Sequence, residues 1–221
     1  MPVKSSRSNL AAQRRGLGMR RQPSQARAQR TFGTVLDAAV GLIERDGVER
    51  ATTRRIALAA GVSIGAVYEY FPNKESIVLH LGTQWLRRIR EIVEALHPAR
   101  SAIPDLLGYL ERMLREVGAL YRNQPGVLAV VRLIGAIPEL REAEQAHDAA
   151  VVASVTSAMR HFAPDADAAE VRSAASCMII MGHGVLSECL VAQADDATRL
   201  LRMFRLSVYA IATAILLPVE R

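Results

Sequence analysis

Cysteine is almost missing from this chain: 2 in 221 residues, at Cys177 and Cys189. If one helix carries both, as the local pattern suggests, they lie about 18 Å apart. That is too far to bridge. A disulfide framework is therefore excluded, and reduced thiols in a cytoplasmic protein are expected. Aromatic residues make up only 5%. No apolar run reaches the roughly 18–20 residues that span a bilayer. The longest, Tyr209 to Val219, reads as core, so no membrane partner is expected. Strand-like alternation is also lacking, while 50% of residues are hydrophobic and alanine and leucine abound. That combination predicts an all-α protein with a substantial core. Phosphate loops, dinucleotide fingerprints, nucleophile elbows and zinc-ligand spacings are missing too. Neither an enzyme nor a cofactor is expected. Nor is a metal: Cys177, His183 and Cys189 are spaced by six along a helix and do not converge.

Acid is absent from the N-terminal region. Asp37 is the first, after Lys4, Arg7, Arg14, Arg15, Arg20, Arg21, Arg27 and Arg30. Setting these cations aside turns the formal balance of +6 into −2. The basic character thus belongs to an arm, residues 1–26, which reads as flexible. Such an arm holds phosphates or enters a minor groove, or is a solvated tail. An Arg- and Ser-rich start also has the look of a transit peptide, but Gly16, Gly18 and Pro23 interrupt any long amphipathic helix. No apolar segment follows the charges, so no secretory signal is expected. Met1 and Met19 both suit a start.

What the chain does have is a compact motif at residues 52–74, TTRRIALAAGVSIGAVYEYFPNK. Thr52 is a good N-cap for a short helix that puts Ile56, Ala57 and Ala60 on one face. Gly61 supplies the turn, since glycine takes positive φ without penalty. Ser63 caps a second helix through Tyr70, and Pro72 stops it. Two helices crossing steeply need a small residue where they touch. Ala57 supplies it, and Val67 faces back into the same core. An ordinary helical hairpin also uses Ala, Gly and Val. Here the small, turn and core positions agree together, which points to a DNA-reading helix-turn-helix.

A first helix over Ala28 to Arg45 precedes the motif, with Phe32, Val35, Leu36, Ala39, Leu42 and Ile43 as its stripe. A long helix from Lys74 to Pro98 follows. Then comes one with Ile103, Leu107, Leu110, Leu114, Val117 and Tyr121 at helical spacing, and a short one from Val127 to Ile134. Others run from Pro138 to Phe162, Asp167 to Gln193 and Asp195 to Leu217. The sum is about nine helices. The last two have broad apolar surfaces, with Ala174, Ala175, Gly182 and Gly184 permitting close approach. Two such helices per subunit can build a four-helix dimer interface or be buried within one subunit. A homodimer is expected, because a single helix-turn-helix reads few base pairs and twofold pairing suits a palindrome.

On these residues the chain resembles the TetR family of bacterial transcriptional regulators. The match runs through the first helix, then Thr52, Ile56-Ala57, Ala60-Gly61-Val62-Ser63, Gly65, Tyr68 and Tyr70-Phe71-Pro72-Asn73-Lys74-Glu75. Beyond about residue 90 the likeness is architectural. The resemblance implies a helix-turn-helix domain at 27–75, motif about 52–71, and a helical effector-binding and dimerisation domain at 76–221. It also implies double-stranded operator DNA as partner. The implied action is a homodimeric repressor on a palindrome, released by a small effector that changes the separation of the two DNA-binding domains. An activator, or an architectural DNA-binding protein without an effector, is the alternative.

By matching position, Thr52 and Thr53 contact phosphate. Ser63, Ile64, Gly65, Ala66 and Tyr68 face the major groove or its edge, and Tyr70 and Lys74 hold phosphates. Helix N-termini, tyrosine hydroxyls and lysine suit these contacts chemically. Arg54 and Arg55 add charge at the same helix start, with one of them expected to face solvent. From Ser63 to Phe71 there is no Arg, Lys, Asn or Gln. Bidentate base readout must be sparse, and Ile64 and Ala66 offer only apolar contact. Backbone contacts and DNA shape are expected to carry much of the affinity. For an effector pocket, Trp85, Ile89, Met113, Tyr121, Met178 and Met181 are candidate walls. Arg132 or His183 is a candidate anchor for a polar group. The many aliphatic residues point to a hydrophobic effector.

Overall fold

The structure, a computed structural model, describes residues 16–21, 23–123, 126, 128, 131 and 137–217. Among them are eight α-helices and no strand. They are α1 (Ala26–Asp46), α2 (Thr53–Ala59), α3 (Ile64–Tyr70), α4 (Lys74–Leu96), α5 (Leu106–Asn123), α6 (Pro138–Phe162), α7 (Ala168–Cys189) and α8 (Ala194–Leu216). The expected short helix at 127–134 falls largely outside the described residues. No helix among the described residues is long and apolar enough to cross a membrane. The chain divides into two compact units, Met1–Leu86 with Gln124–Ala146, and Arg87–Asn123 with His147–Arg221.

In the first unit, the stripe expected on α1 is buried at Val35, Leu36, Ala39, Leu42 and Ile43, while Phe32 is half-buried. They close over Ile56 and Ala57 of α2 and over Val67 and Tyr70 of α3. The turn between α2 and α3 is a Schellman motif. Gly61 stands at φ 64°, the Val62 N–H donates to the Ala57 carbonyl, and the Gly61 N–H donates to that of Leu58. Both N-caps form as the sequence predicts. The Thr52 hydroxyl accepts from the Arg55 N–H at 3.3 Å, and that of Ser63 from the Ala66 N–H at 3.1 Å. Asn73 starts α4. Its side-chain oxygen accepts from the Ser76 N–H at 2.9 Å, and the Ser76 hydroxyl donates to the Asn73 carbonyl at 2.6 Å. A polar pair thus fixes the axis of α4 just where the reading helix ends.

In the second unit, α5 starts at Leu106 rather than near Ile103, because Asp105 takes the cap. Its carboxylate accepts from the Gly108 N–H at 2.7 Å. The register corrects the predicted stripe: Leu106, Tyr109, Leu110, Met113 and Tyr121 are buried, and Leu107 is exposed. The final two helices pack on one another. Gly182 is needed there, since a Cβ on it would come within 3.2 Å of the Phe204 ring. Both helices also carry an outward apolar stripe. On α7 it contains Cys177, Ile180 and Gly184, and on α8 Met203, Leu206, Ala210 and Leu217 just past its end. Ile180 is 73% exposed and Met203 52%.

Candidate DNA-reading surface and ligand cavity

Helix α3 turns Val67 and Tyr70 inward and leaves Ser63, Ile64, Gly65, Tyr68 and Glu69 exposed, with Ala66 half-buried. The Tyr68 hydroxyl lies 3.3 Å from that of Thr53, the first residue of α2. Two residues expected at DNA are therefore neighbours on one surface. Gly65 sits in the first turn of α3, and a Cβ there would meet nothing nearer than the Ser63 hydroxyl at 3.8 Å.

The two arginines differ. Arg55 donates to Asp46 at 2.5 Å and to the Arg50 carbonyl at 2.9 Å. Arg45 and then Arg55, working against burial, hold the Asp46 carboxyl below its ordinary range. Arg55 is therefore committed to binding α2 to the end of α1, contrary to its expected place at phosphate. Arg54 is exposed and forms no hydrogen bond or ion pair among the described residues. Tyr70 also departs from expectation. It is 4% exposed, stacks edge-on against Phe32 and donates its hydroxyl to the Ala28 carbonyl at 3.4 Å. Its α3 position, three residues after Val67, turns it into the core. Lys74 meets Glu49 at 3.2 Å, a pair that a phosphate can replace.

The sequence reading missed what happens at the other end of α3. The Arg20 N–H donates to the Tyr70 carbonyl at 2.8 Å, and its guanidinium to the Tyr68 carbonyl at 3.2 Å. Arg21 pairs with Glu69 at 2.9 Å. Cations here complement the free carbonyls and the negative end of the helix dipole. Glu69 is thereby engaged with the arm. Lys4, Arg7, Arg14 and Arg15 lie outside the described residues.

The second unit contains a cavity of about 60 Å³. A water needs roughly 10–15 Å³ on the same scale, so it holds a few waters. An organic ligand must widen it by moving side chains. Of the expected walls, Ile89, Met113, Tyr121 and Met178 line it, joined by Phe204 and Val208. Trp85 and Met181 do not. Trp85 is buried but does not border the cavity, and Met181 points about a third of a turn around α7 from the centre of the face that carries Met178, Gly182 and Leu186. Arg132 lies outside the described residues.

Two imidazoles break the apolar wall, His147 of α6 and His183 of α7. Their rings are 6.4 Å apart at 13°. Asp148 stands beside them, 3.6 Å from His183 Nε2. Burial pushes the Asp148 carboxyl up while His183 pulls it down. His183 was an expected polar anchor. His147 and Asp148 were missed, although adjacent His and Asp in a helix otherwise rich in alanine and valine are a visible signal.

The family model for bacterial regulatory proteins, tetR family, matches residues 35–81. That for the tetracyclin repressor-like C-terminal domain matches residues 105–206. The chain belongs to the TetR family of transcriptional regulators. TetR-family proteins are DNA-binding regulators with an N-terminal helix-turn-helix domain and a C-terminal helical domain.

The nucleoid occlusion factor SlmA of Actinobacillus pleuropneumoniae (serotype 5b) is 54% identical over 99 residues, or 44% of this chain and 47% of that protein. The HTH-type transcriptional repressor DrrR1 of Streptomyces coeruleorubidus is 32% identical over 111 residues, or 50% of this chain and 39% of that one. The chain thus matches less than half the length of each. SmeT, repressor of a Stenotrophomonas maltophilia multidrug efflux pump, is solved in complex with triclosan. That structure aligns with a TM-score of 0.66 at 21% identity, over 83% of this chain and 90% of the other, a likeness of fold.

Proposed function

We propose that this TetR-family chain is a homodimeric repressor that binds a palindromic operator through α3 and is released by a small hydrophobic effector. The apolar cavity of the second unit carries the effector part of this reading. It is lined mainly by aliphatic, thioether and aromatic side chains, with His147, His183 and Tyr121 as its polar residues, which suits a small, largely apolar molecule. Thr52, Thr53, Arg54, Ser63, Gly65, Tyr68 and Lys74 are the proposed DNA contacts. Helix α4 carries both Lys74, at its first residue, and Ile89 and Val93 beside the cavity. A ligand that displaces this helix therefore has a covalent route to the phosphate contacts. The repressor DrrR1 and the triclosan-bound SmeT support the same reading by similarity.

Linkage makes this testable, because a ligand that favours the released form must weaken the operator by the factor by which the operator weakens it. A hit among small apolar compounds that raises the melting temperature is expected to weaken operator binding by about 5–150-fold, the usual span of such coupling. Fluorescence anisotropy with and without the compound measures it. Stabilising compounds that leave the operator affinity unchanged would remove the effector from the account. Similarity to a nucleoid occlusion factor favours a second reading, an architectural protein that occupies many sites. It predicts no such coupling.

A further inference from the structure

We propose that His147, Asp148 and His183 form a binding site for one divalent transition-metal ion, of the zinc, cobalt and nickel class, in the wall of the cavity. The reading does not depend on an operator or an organic effector. All three residues lie in the second unit, His147 and Asp148 on α6 and His183 on α7. One ligand atom from each residue lies within 4.8 Å of the others. At 3.6 Å, His183 Nε2 and Asp148 Oδ1 are too far apart for a good hydrogen bond. Two ligands bound at about 2.0–2.1 Å to one tetrahedral ion stand about 3.3–3.4 Å apart, so the spacing is close to that of a ligand pair. Small side-chain rotations bring in the third donor.

The carboxylate supplies a second argument. Asp148 Oδ1 is sealed from solvent and accepts no hydrogen bond among the described residues. A buried carboxylate oxygen in that state is costly, and a cation beside it removes the cost. Next to it stand two nearly parallel imidazoles, one of them, His147, only 2% exposed. If both were protonated they would repel one another. A dication instead takes a lone pair from each. Two nitrogens and one oxygen select the metal class, since magnesium and calcium prefer oxygen throughout. Three protein ligands leave a coordination position open. Because both imidazoles border the cavity, that position faces an apolar space able to admit a small donor molecule.

Cobalt(II) titration of the full chain tests this, with a Cys177→Ser/Cys189→Ser variant run alongside to take thiolates out of play. One ion per chain is expected in both proteins, with visible d–d absorption and no thiolate band. Zinc is expected to compete for the site and to raise the melting temperature, and magnesium to do neither. His183→Gln and Asp148→Asn are each expected to weaken the ion at least about 100-fold, beyond the 10–100-fold typical of outer groups. Both side chains are partly exposed, so these variants keep the fold, and a metal-free melt checks it. No saturable site, or affinity unchanged in both variants, would overturn the proposal. So would loss only in the cysteine variant. Tight binding of an organic molecule that needs Asp148 and His183 in excess chelator, without a cobalt site, would assign the cluster to that molecule's polar group instead.

Discussion

Operator affinity is expected to fall at least 100-fold, about 2.8 kcal/mol, when Gly65 is replaced by glutamate. The fold has room for the side chain, because a Cβ at Gly65 touches only the Ser63 hydroxyl at 3.8 Å. Glycine inside a helix costs roughly 1 kcal/mol against alanine, and an acid in the first turn of α3 meets the positive end of its dipole. The folded unit is therefore expected to keep or gain stability. The same carboxylate would sit where phosphates approach the reading helix. Gly65→Ala, which adds bulk without charge, is expected to lose far less operator affinity than the glutamate variant, since it brings no charge to repel phosphate. Anisotropy titrations and melts on the three proteins separate the two effects. Full operator binding by the glutamate variant would move the DNA contact away from this turn.

Replacing Ile180 by glutamate is expected to raise the dimer dissociation constant at least 100-fold. Ile180 is 73% exposed and lies opposite the face by which α7 packs in its own unit, so the chain does not need it to fold. A large exposed apolar stripe marks an interaction surface. In a twofold interface each substitution counts twice, and a carboxylate buried there without a partner costs several kcal/mol. Sedimentation velocity is expected to show a species near 24.1 kDa at concentrations where the parent is a dimer. Operator binding falls with it, since one half-site contact remains. An unchanged dimer would place the interface away from the α7 and α8 stripe.

Where local chemistry decides, the sequence was readable. Thr52, Ser63 and Gly61 are fixed by backbone hydrogen bonds within a few residues, and all three act as the pattern predicts. Helix α1 buries all but Phe32 of the stripe its periodicity shows, because one face meets one core. Elsewhere, distant partners decide. Arg54 and Arg55 are neighbours of equal chemistry, and only Asp46, nine residues before Arg55, tells them apart. Tyr70 looks like a phosphate ligand until Ala28 and Phe32 are found against it. The contact of Arg20 and Arg21 with the end of α3 spans 48 residues and has no local signature. The cavity was partly legible, since Ile89, Met113, Tyr121 and Met178 follow helical spacing on their own helices. Asp148 was not, because its meaning comes from His183 on another helix.

The central claim is that α3 reads DNA as one half of a twofold pair. Selection of bound sequences from a random duplex pool tests it most directly. The account predicts an enriched palindrome with half-sites about one helical turn apart, or a multiple of it. It should carry more preference in DNA shape than in guanine contacts, because no Arg or Lys projects from α3. Enrichment of no motif, or of a single unpaired site bound equally well by the Ile180→Glu monomer, would contradict it.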